Sequence, residues 1–207
     1  MRTLVIATRN KGKAREIASI LGDLDLDICD LEDYPDFEDP DENTDSFTGN
    51  AAVKAITAAD HTGEMCLADD SGLVVDALGG RPGVYSSRYA GSDASDEDRV
   101  QKLLEEMADV PDNLRSARFV AAVAIALPGR LVAVTEGRCE GMIVCSPRGE
   151  NGFGYDPIFI PQGMNKTMAE LPPEMKNKIS HRARALKAAK RVLMHFMDEN
   201  GVVFEDG

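Results

Sequence analysis

The chain is short of the residues that build histidine or cysteine metal centres. It has three histidines, His61, His181 and His195, and four cysteines among 207 residues. Cys29, Cys66, Cys139 and Cys145 form no Cys-x-x-Cys pair and have no histidine beside them. That spacing argues against a zinc site or a disulfide framework and fits free thiols in a reducing compartment. No apolar stretch approaches the roughly 20 residues that a membrane span requires. The start, Met1-Arg2-Thr3-Leu4-Val5-Ile6-Ala7, lacks the longer apolar segment and cleavage site of a signal peptide. A cytoplasmic protein with no membrane partner is expected. Cations are scarce too: 23 Lys and Arg stand against 36 Asp and Glu, a net charge of −13. A broad nucleic-acid surface needs clustered cations to displace counterions, so no nucleic-acid partner is expected.

What is present is an ordinary globular composition, 43% hydrophobic and 29% charged. One unit over residues 1–207, or two closely apposed lobes, accounts for the length. The acid-rich stretch Asp23 to Asp45 reads as a solvated loop, with Glu42 available as a ligand. Thr3 to Ala7 reads as a buried strand, and Lys11 to Leu21 as a helix stopped by Gly22. Asn50 is a plausible cap for a second helix to about Ala59, and a third starts after Ser95. Phe119–Leu127 and Leu131–Glu136 flank Pro128-Gly129-Arg130 as a hairpin, with short strands at Ile143–Cys145 and Pro157–Ile160. A last helix covers Ser180 to Met197. Strands and helices mix without strict alternation, which predicts an α/β fold with a mixed, twisted sheet and flanking helices.

Five islands carry chemistry. Met65-Cys66-Leu67-Ala68 reads as a buried strand that ends at Asp69-Asp70-Ser71-Gly72. Gly72 permits a sharp turn, so two adjacent acids reach the rim of a core, where a divalent cation can be held and a water activated. The alternative is an ordinary surface turn. Thr8-Arg9-Asn10-Lys11-Gly12-Lys13 joins strand to helix as a phosphate cradle, although it is not a Walker A loop. Lys54 shares a helix face with Asn50 and can meet a phosphate. Gly152-Phe153-Gly154-Tyr155-Asp156 presents an aromatic ring between glycines for stacking on a base, with Asp156 held extended before Pro157. In Lys176-Asn177-Lys178-Ile179-Ser180-His181-Arg182, Ser180 caps a helix. Its first turn then carries two cations that oppose the helix dipole, so capping alone does not explain them.

Together these islands resemble the inosine/xanthosine triphosphate pyrophosphatase family along nearly the whole chain. The matching stretches are Ala7-Thr8-x-Asn10-x-Gly12-Lys13, Phe47-x-x-Asn50-Ala51-x-x-Lys54-Ala55 and Ala68-Asp69-Asp70-Ser71-Gly72-Leu73. They continue with Gly79-Gly80-x-Pro82-Gly83-Val84-Tyr85-Ser86-x-Arg88, Gly152-Phe153-Gly154-Tyr155-Asp156-Pro157-Ile158-Phe159 and Lys176-x-x-Ile179-Ser180-His181-Arg182. The resemblance implies two lobes around a central nucleotide-binding cleft, a homodimer, and Mg²⁺-dependent hydrolysis of ITP, dITP and XTP to monophosphate and pyrophosphate. It implies that Thr8 to Lys13, Lys54 and Lys176 hold the triphosphate and that Asp70 activates water. Asp70, Asp69 and Glu42 would hold the metal and Ser71 would touch substrate. Phe153 would stack on the purine within Gly154-Tyr155, while Asp156, His181 and Arg182 read its edge. Arg9 and Gly49 depart from the family pattern, the latter replacing an acid. A pyrophosphatase for modified pyrimidine nucleotides and a nucleotide sensor without catalysis remain alternatives that a substrate panel separates.

Overall fold

The computed structural model describes residues 2–199; positions 1 and 200–207 of the expected unit lie outside the described residues. Strand β1 (Arg2–Ile6) leads into helix α1 (Lys11–Leu21). The helix starts where the Asn10 side chain accepts from the Lys13 N–H at 3.0 Å, and it buries Ile17 and Leu21. Strand β2 (Leu26–Asp30) lies inside the stretch read as a solvated loop and pairs in parallel with β1. It is an edge strand whose exposed Asp27 belongs to the surrounding run of acids.

Helix α2 (Phe47–Thr62) begins before the expected Asn50 cap, because the Ser46 side chain accepts from the Gly49 N–H. Asn50 is therefore inside the helix, fully buried. Strand β3 (Met65–Val75) pairs in parallel with β1 and antiparallel with β4 (Ser116–Leu127). The hairpin continues into β5 (Arg130–Ile143), which absorbs the expected strand at Ile143, and β6 (Phe159–Pro161) closes the order β2-β1-β3-β4-β5-β6. Helices α3 (Asp96–Glu106), α4 (Pro173–Ile179) and α5 (His181–Glu199) complete the described residues. Ser95 and Asp98 form a capping box on α3, and the Ser180 side chain accepts from the Ala183 N–H at the start of α5.

The main correction concerns β3, which does not turn at Gly72 but runs on to Val75. A Cβ at Gly72 would stand 2.4 Å from Ser86 Oγ and 2.5 Å from the Gly83 carbonyl oxygen. Glycine is required there because the 83–88 segment lies directly on the strand.

The pleat divides β3 between two faces. Cys66 and Ala68 pack with Ala122 and Ala124 against Ala51, Ala55 and Ala58 of α2. On the other face, Met65 and Leu67 join Ile17 and Leu21 of α1 and Leu186 and Leu193 of α5. Further along that same face, Leu73 and Val75 join Phe119, Phe159 and Leu103 of α3 in a second core. Each buried Leu or Ile contributes roughly 1.5–3 kcal/mol, so both cores are firm. Between them, the residues that share their face are Asp69 and Ser71. The cleft opens at this polar interval.

Candidate active site

Asp69 and Asp70 are neighbours in sequence and point to opposite faces of β3, so they belong to two separate networks. On the α2 face, Asn50 Nδ2 donates to Asp70 Oδ2 at 3.1 Å. Lys54, one turn along, places Nζ 3.2 Å from Asp70 Oδ1 and 2.8 Å from Glu42 Oε1. The expected common face of Asn50 and Lys54 is thus real, and it is aimed at Asp70. Thr44 donates its backbone N–H and its hydroxyl to Asn50 Oδ1, which fixes the amide orientation. Arg88 steadies the other Glu42 oxygen at 3.2 Å. Burial pushes the Asp70 carboxyl above the usual carboxylate range, against the pull of Lys54 and Lys13.

On the α1/α5 face, the Asp69 side chain is wholly buried. Lys13 Nζ lies 2.7 Å from Oδ2, Arg182 Nε 3.0 Å from Oδ1, and Ser71 Oγ donates at 2.9 Å. Burial alone would raise this pKa, but Arg182 and Lys13 overcome it and hold the carboxyl well below its ordinary value. With its oxygens committed to two cations and a hydroxyl, Asp69 does not share the Asp70 site as expected. The reason is the pleat.

The second network extends through Glu16, a residue that the sequence reading missed. Glu16 Oε2 accepts from Arg182 Nη1 at 2.5 Å, and Oε1 lies 2.8 Å from Lys176 Nζ. Lys176 in turn meets Asp156 Oδ2 at 2.5 Å, and that oxygen also accepts the Phe153 N–H at 3.0 Å. Three cations, Lys13, Arg182 and Lys176, thus alternate with three carboxylates, Asp69, Glu16 and Asp156. Buried charges survive only in such compensated arrangements. Glu16 lies one turn along α1 from Gly12-Lys13, and the spacing of an acid and a lysine on one helix was its only sequence signal.

The Phe153 ring has Lys176 Nζ 4.6 Å and Arg182 Cζ 5.5 Å from its centroid. It also covers Gly12, where a Cβ would come within 2.7 Å of the ring. His181 stacks on Phe119, centroids 4.7 Å apart and planes 12° apart. Burial, with Arg182 adding to it, holds the imidazole well below its ordinary pKa and keeps it neutral. Its Nδ1 is buried without a hydrogen-bond partner.

The expected substrate residues divide accordingly. Asn10, Lys13, Ser71 and the 153–156 loop border one cleft together with Lys176, His181 and Arg182. Arg182 borders it with its donors already directed to Asp69, Glu16 and Ser71. Tyr155 anchors the loop through a 2.9 Å bond from its hydroxyl to the Ser86 carbonyl. Thr8, Arg9 and Lys11 line a separate depression, where Arg9 binds Asp39 at 2.6 Å and exposed Lys11 faces Glu32 at 3.4 Å. Asp96, Arg99 and Phe119 also border the cleft and had no motif to announce them, and Ser86 joins them from the Gly79–Arg88 stretch.

No group of three or more His, Cys, Asp or Glu side chains is placed to hold a metal among the described residues. The two carboxylates Glu42 and Asp70 nevertheless converge on a single cation, the Lys54 ammonium. Hard oxygen donors, two in number, suit an ion that keeps several waters and takes further ligands from a phosphate.

The model of the Ham1 family matches residues 4–192. A dITP/XTP pyrophosphatase of Geobacter sulfurreducens is 53% identical over 190 residues, 92% of this chain and 96% of that protein. One from Geobacillus kaustophilus is 52% identical over 186 residues, 90% of this chain and 91% of that protein. The structure of a HAM1 protein from Coxiella burnetii superposes with a TM-score of 0.85 at 41% identity, covering 94% of this chain and all of that one. The Ham1 protein of Staphylococcus aureus gives 0.83 at 39%, with the same coverage. With these likenesses running through the strand, loop and helix that carry the cleft, the chain belongs to the Ham1 family.

Proposed function

We propose that the protein hydrolyses deaminated purine nucleoside triphosphates, ITP, dITP and XTP, to the monophosphate and pyrophosphate. The observation that carries this reading is the convergence of Asp70 and Glu42 on one cation beside a cleft that holds Lys13, Phe153 and the Asp156–Lys176 pair. The family relatives named for dITP and XTP support it.

Lys13 and Lys54 neutralise triphosphate charge from the two sides of β3. Asp70, made more basic than an ordinary carboxylate by burial, accepts a proton from the attacking water. Asn50 and Lys54 orient that carboxylate. Mg²⁺, held by Asp70 and Glu42 when bound, would supply Lewis-acid stabilisation of charge on the phosphates. Asp69 serves as the anchor that keeps Lys13 and Arg182 in place, in departure from its expected metal role. In the base recess, Lys176 offers a donor and Asp156 an acceptor. That pair complements the 6-carbonyl and N1–H of hypoxanthine and mismatches adenine, which reverses both. Phe153 and the Arg182 plane supply stacking faces. Work in the cytoplasm as a homodimer completes the reading; sedimentation of the purified chain tests the dimer.

A product assay tests the chemistry. Protein with Mg²⁺ is offered ITP, dITP, XTP, ATP, GTP and dTTP, with pyrophosphate scored separately from orthophosphate. Pyrophosphate from ITP, dITP and XTP and little from the others is expected. Orthophosphate, or a flat response across the panel, breaks the reading.

A further inference from the structure

Among the described residues, two buried side-chain nitrogens lack a hydrogen-bond partner, His181 Nδ1 and Arg99 Nε. They come from different helices, α5 and α3, yet both side chains border the same cleft. An unmet buried polar atom is costly, and two on one cavity point to a ligand with polar atoms on two edges. His181 belongs to the base recess already described. Arg99 does not yet have a role.

We propose that Arg99 is the specificity-determining residue for the purine 2-position, donating to the 2-carbonyl of xanthine and rejecting the 2-amino group of guanine. The proposal rests on the function inferred above and deepens it. Position 2 of the ring is separated from position 6 only by N1. If Lys176 and His181 meet the 6-carbonyl and Asp156 meets N1–H, the substituent at position 2 faces the next wall of the recess. That wall is built by α3. Asp96 Oδ2 accepts the Gly154 N–H at 2.6 Å, which binds the start of α3 to the loop carrying Phe153 and Asp156. Asp96 Oδ1 accepts from Arg99 Nη1 at 2.5 Å, and Arg99 Nη2 donates to the Ala94 carbonyl at 2.6 Å. Each Asp96 oxygen thus already carries one bond, and the Asp96 carboxylate is held between Arg99 and the Phe153 loop. Of the three Arg99 nitrogens, Nε is the one without a partner.

Xanthine brings an acceptor to that donor. Hypoxanthine carries only hydrogen at position 2 and leaves Nε as it is in the free protein. Guanine sets one donor against another and also loses the hydration of its amino group. Guanine shares the 6-carbonyl and N1–H of hypoxanthine, so Lys176 and Asp156 cannot exclude it, whereas a donor at position 2 does. The competing account is a latch: an i,i+3 pair with Asp96 that only ties down the first turn of α3. A latch affects all bases equally.

The test compares wild type, Arg99→Met and Arg99→Lys. It measures pyrophosphate release from XTP, ITP and GTP, and equilibrium binding of the matching monophosphates by calorimetry. Arg99→Met is expected to lower the XTP-to-ITP ratio of kcat/KM about tenfold, the scale for one charged hydrogen bond, and to raise GTP relative to ITP. The monophosphate affinities follow the same order, and Arg99→Lys, which keeps a donor, falls between. Equal losses for all three bases, or unchanged ratios, overturn the proposal in favour of the latch. If wild type releases pyrophosphate from none of the three, the parent reading fails and this one with it. The wild-type arm and the variant ratios thus separate the two failures.

Discussion

Asp69 and Asp70 are separated by one peptide bond and live in different chemistries. Asp70 faces α2, where an amide and one lysine leave its carboxyl shifted upward by burial. Asp69 faces α1 and α5, where two cations and a hydroxyl hold it ionised. The pair shows how a strand distributes catalysis and architecture: one acid is kept reactive, the other is consumed in holding cations over the cleft.

The strongest way to break this contrast is Asp70→Asn. We expect turnover to fall about 10²–10⁴-fold, the range for losing a general base, with KM nearly unchanged and stability equal or higher. Steady-state kinetics beside thermal unfolding checks both halves, and retained turnover removes Asp70 from its role. Asp69→Asn should do the reverse first. It leaves Arg182 and Lys13 buried beside a neutral amide, so a stability loss of about 3–5 kcal/mol is expected in urea unfolding.

Gly137→Ala probes the α5 side alone. An added Cβ would stand 2.1 Å from the His181 carbonyl oxygen and 2.5 Å from the Ala185 nitrogen, so helix backbone must move. A cost of about 1–3 kcal/mol is expected, with weaker base discrimination because His181 and Arg182 shift together. Substrate-panel kinetics on the folded variant reads it.

The pH dependence of the two acids has opposite sign. Asp69, with its pKa depressed on folding, contributes stability that is full above about pH 4 and lost as acid reaches its folded value. Asp70, with its pKa raised, contributes most below about pH 4 and loses that contribution as pH rises through its folded value. The stability deficit of Asp69→Asn should therefore shrink in acid, while any gain from Asp70→Asn should appear toward neutrality. Unfolding curves across the acid range decide it. The smallest effect is expected from Lys11→Ala: this exposed lysine contacts Glu32 outside the cleft, so kcat/KM should change less than about threefold. A large loss would return the whole Thr8–Lys13 loop to the phosphate site.

Local elements with complete punctuation were legible. Helix α1 has an Asn cap, apolar residues on one face and a glycine stop, and its bounds match the expectation. The Ser95 start of α3 and the turn at 128–130 are of the same kind. Strand β2 was hidden because its five residues lie within a long run of acids that reads as a loop, with Asp27 exposed between Leu26 and Ile28. Helix α4 was missed because seven residues carry too little periodicity. The Asn50 cap was misplaced because Ser46 is a competing cap four residues earlier, and only packing against Asp70 gives Asn50 a different task.

The chemistry of the site was legible as a set of residue types: carboxylates, lysines, an aromatic between glycines, and a Ser-His-Arg helix start. These are properties of side chains and short spacings, which the chain carries with it unfolded. What only the tertiary structure decided is the division of labour. The pleat of β3 sent adjacent acids to opposite faces, and Glu16 became the bridge between Lys176 and Arg182 across some 160 positions of chain. Arg99 reached the cleft because α3 packs beside the Phe153 loop. Contacts between elements distant in sequence depend on which surfaces the cores bring together, and no local pattern records them.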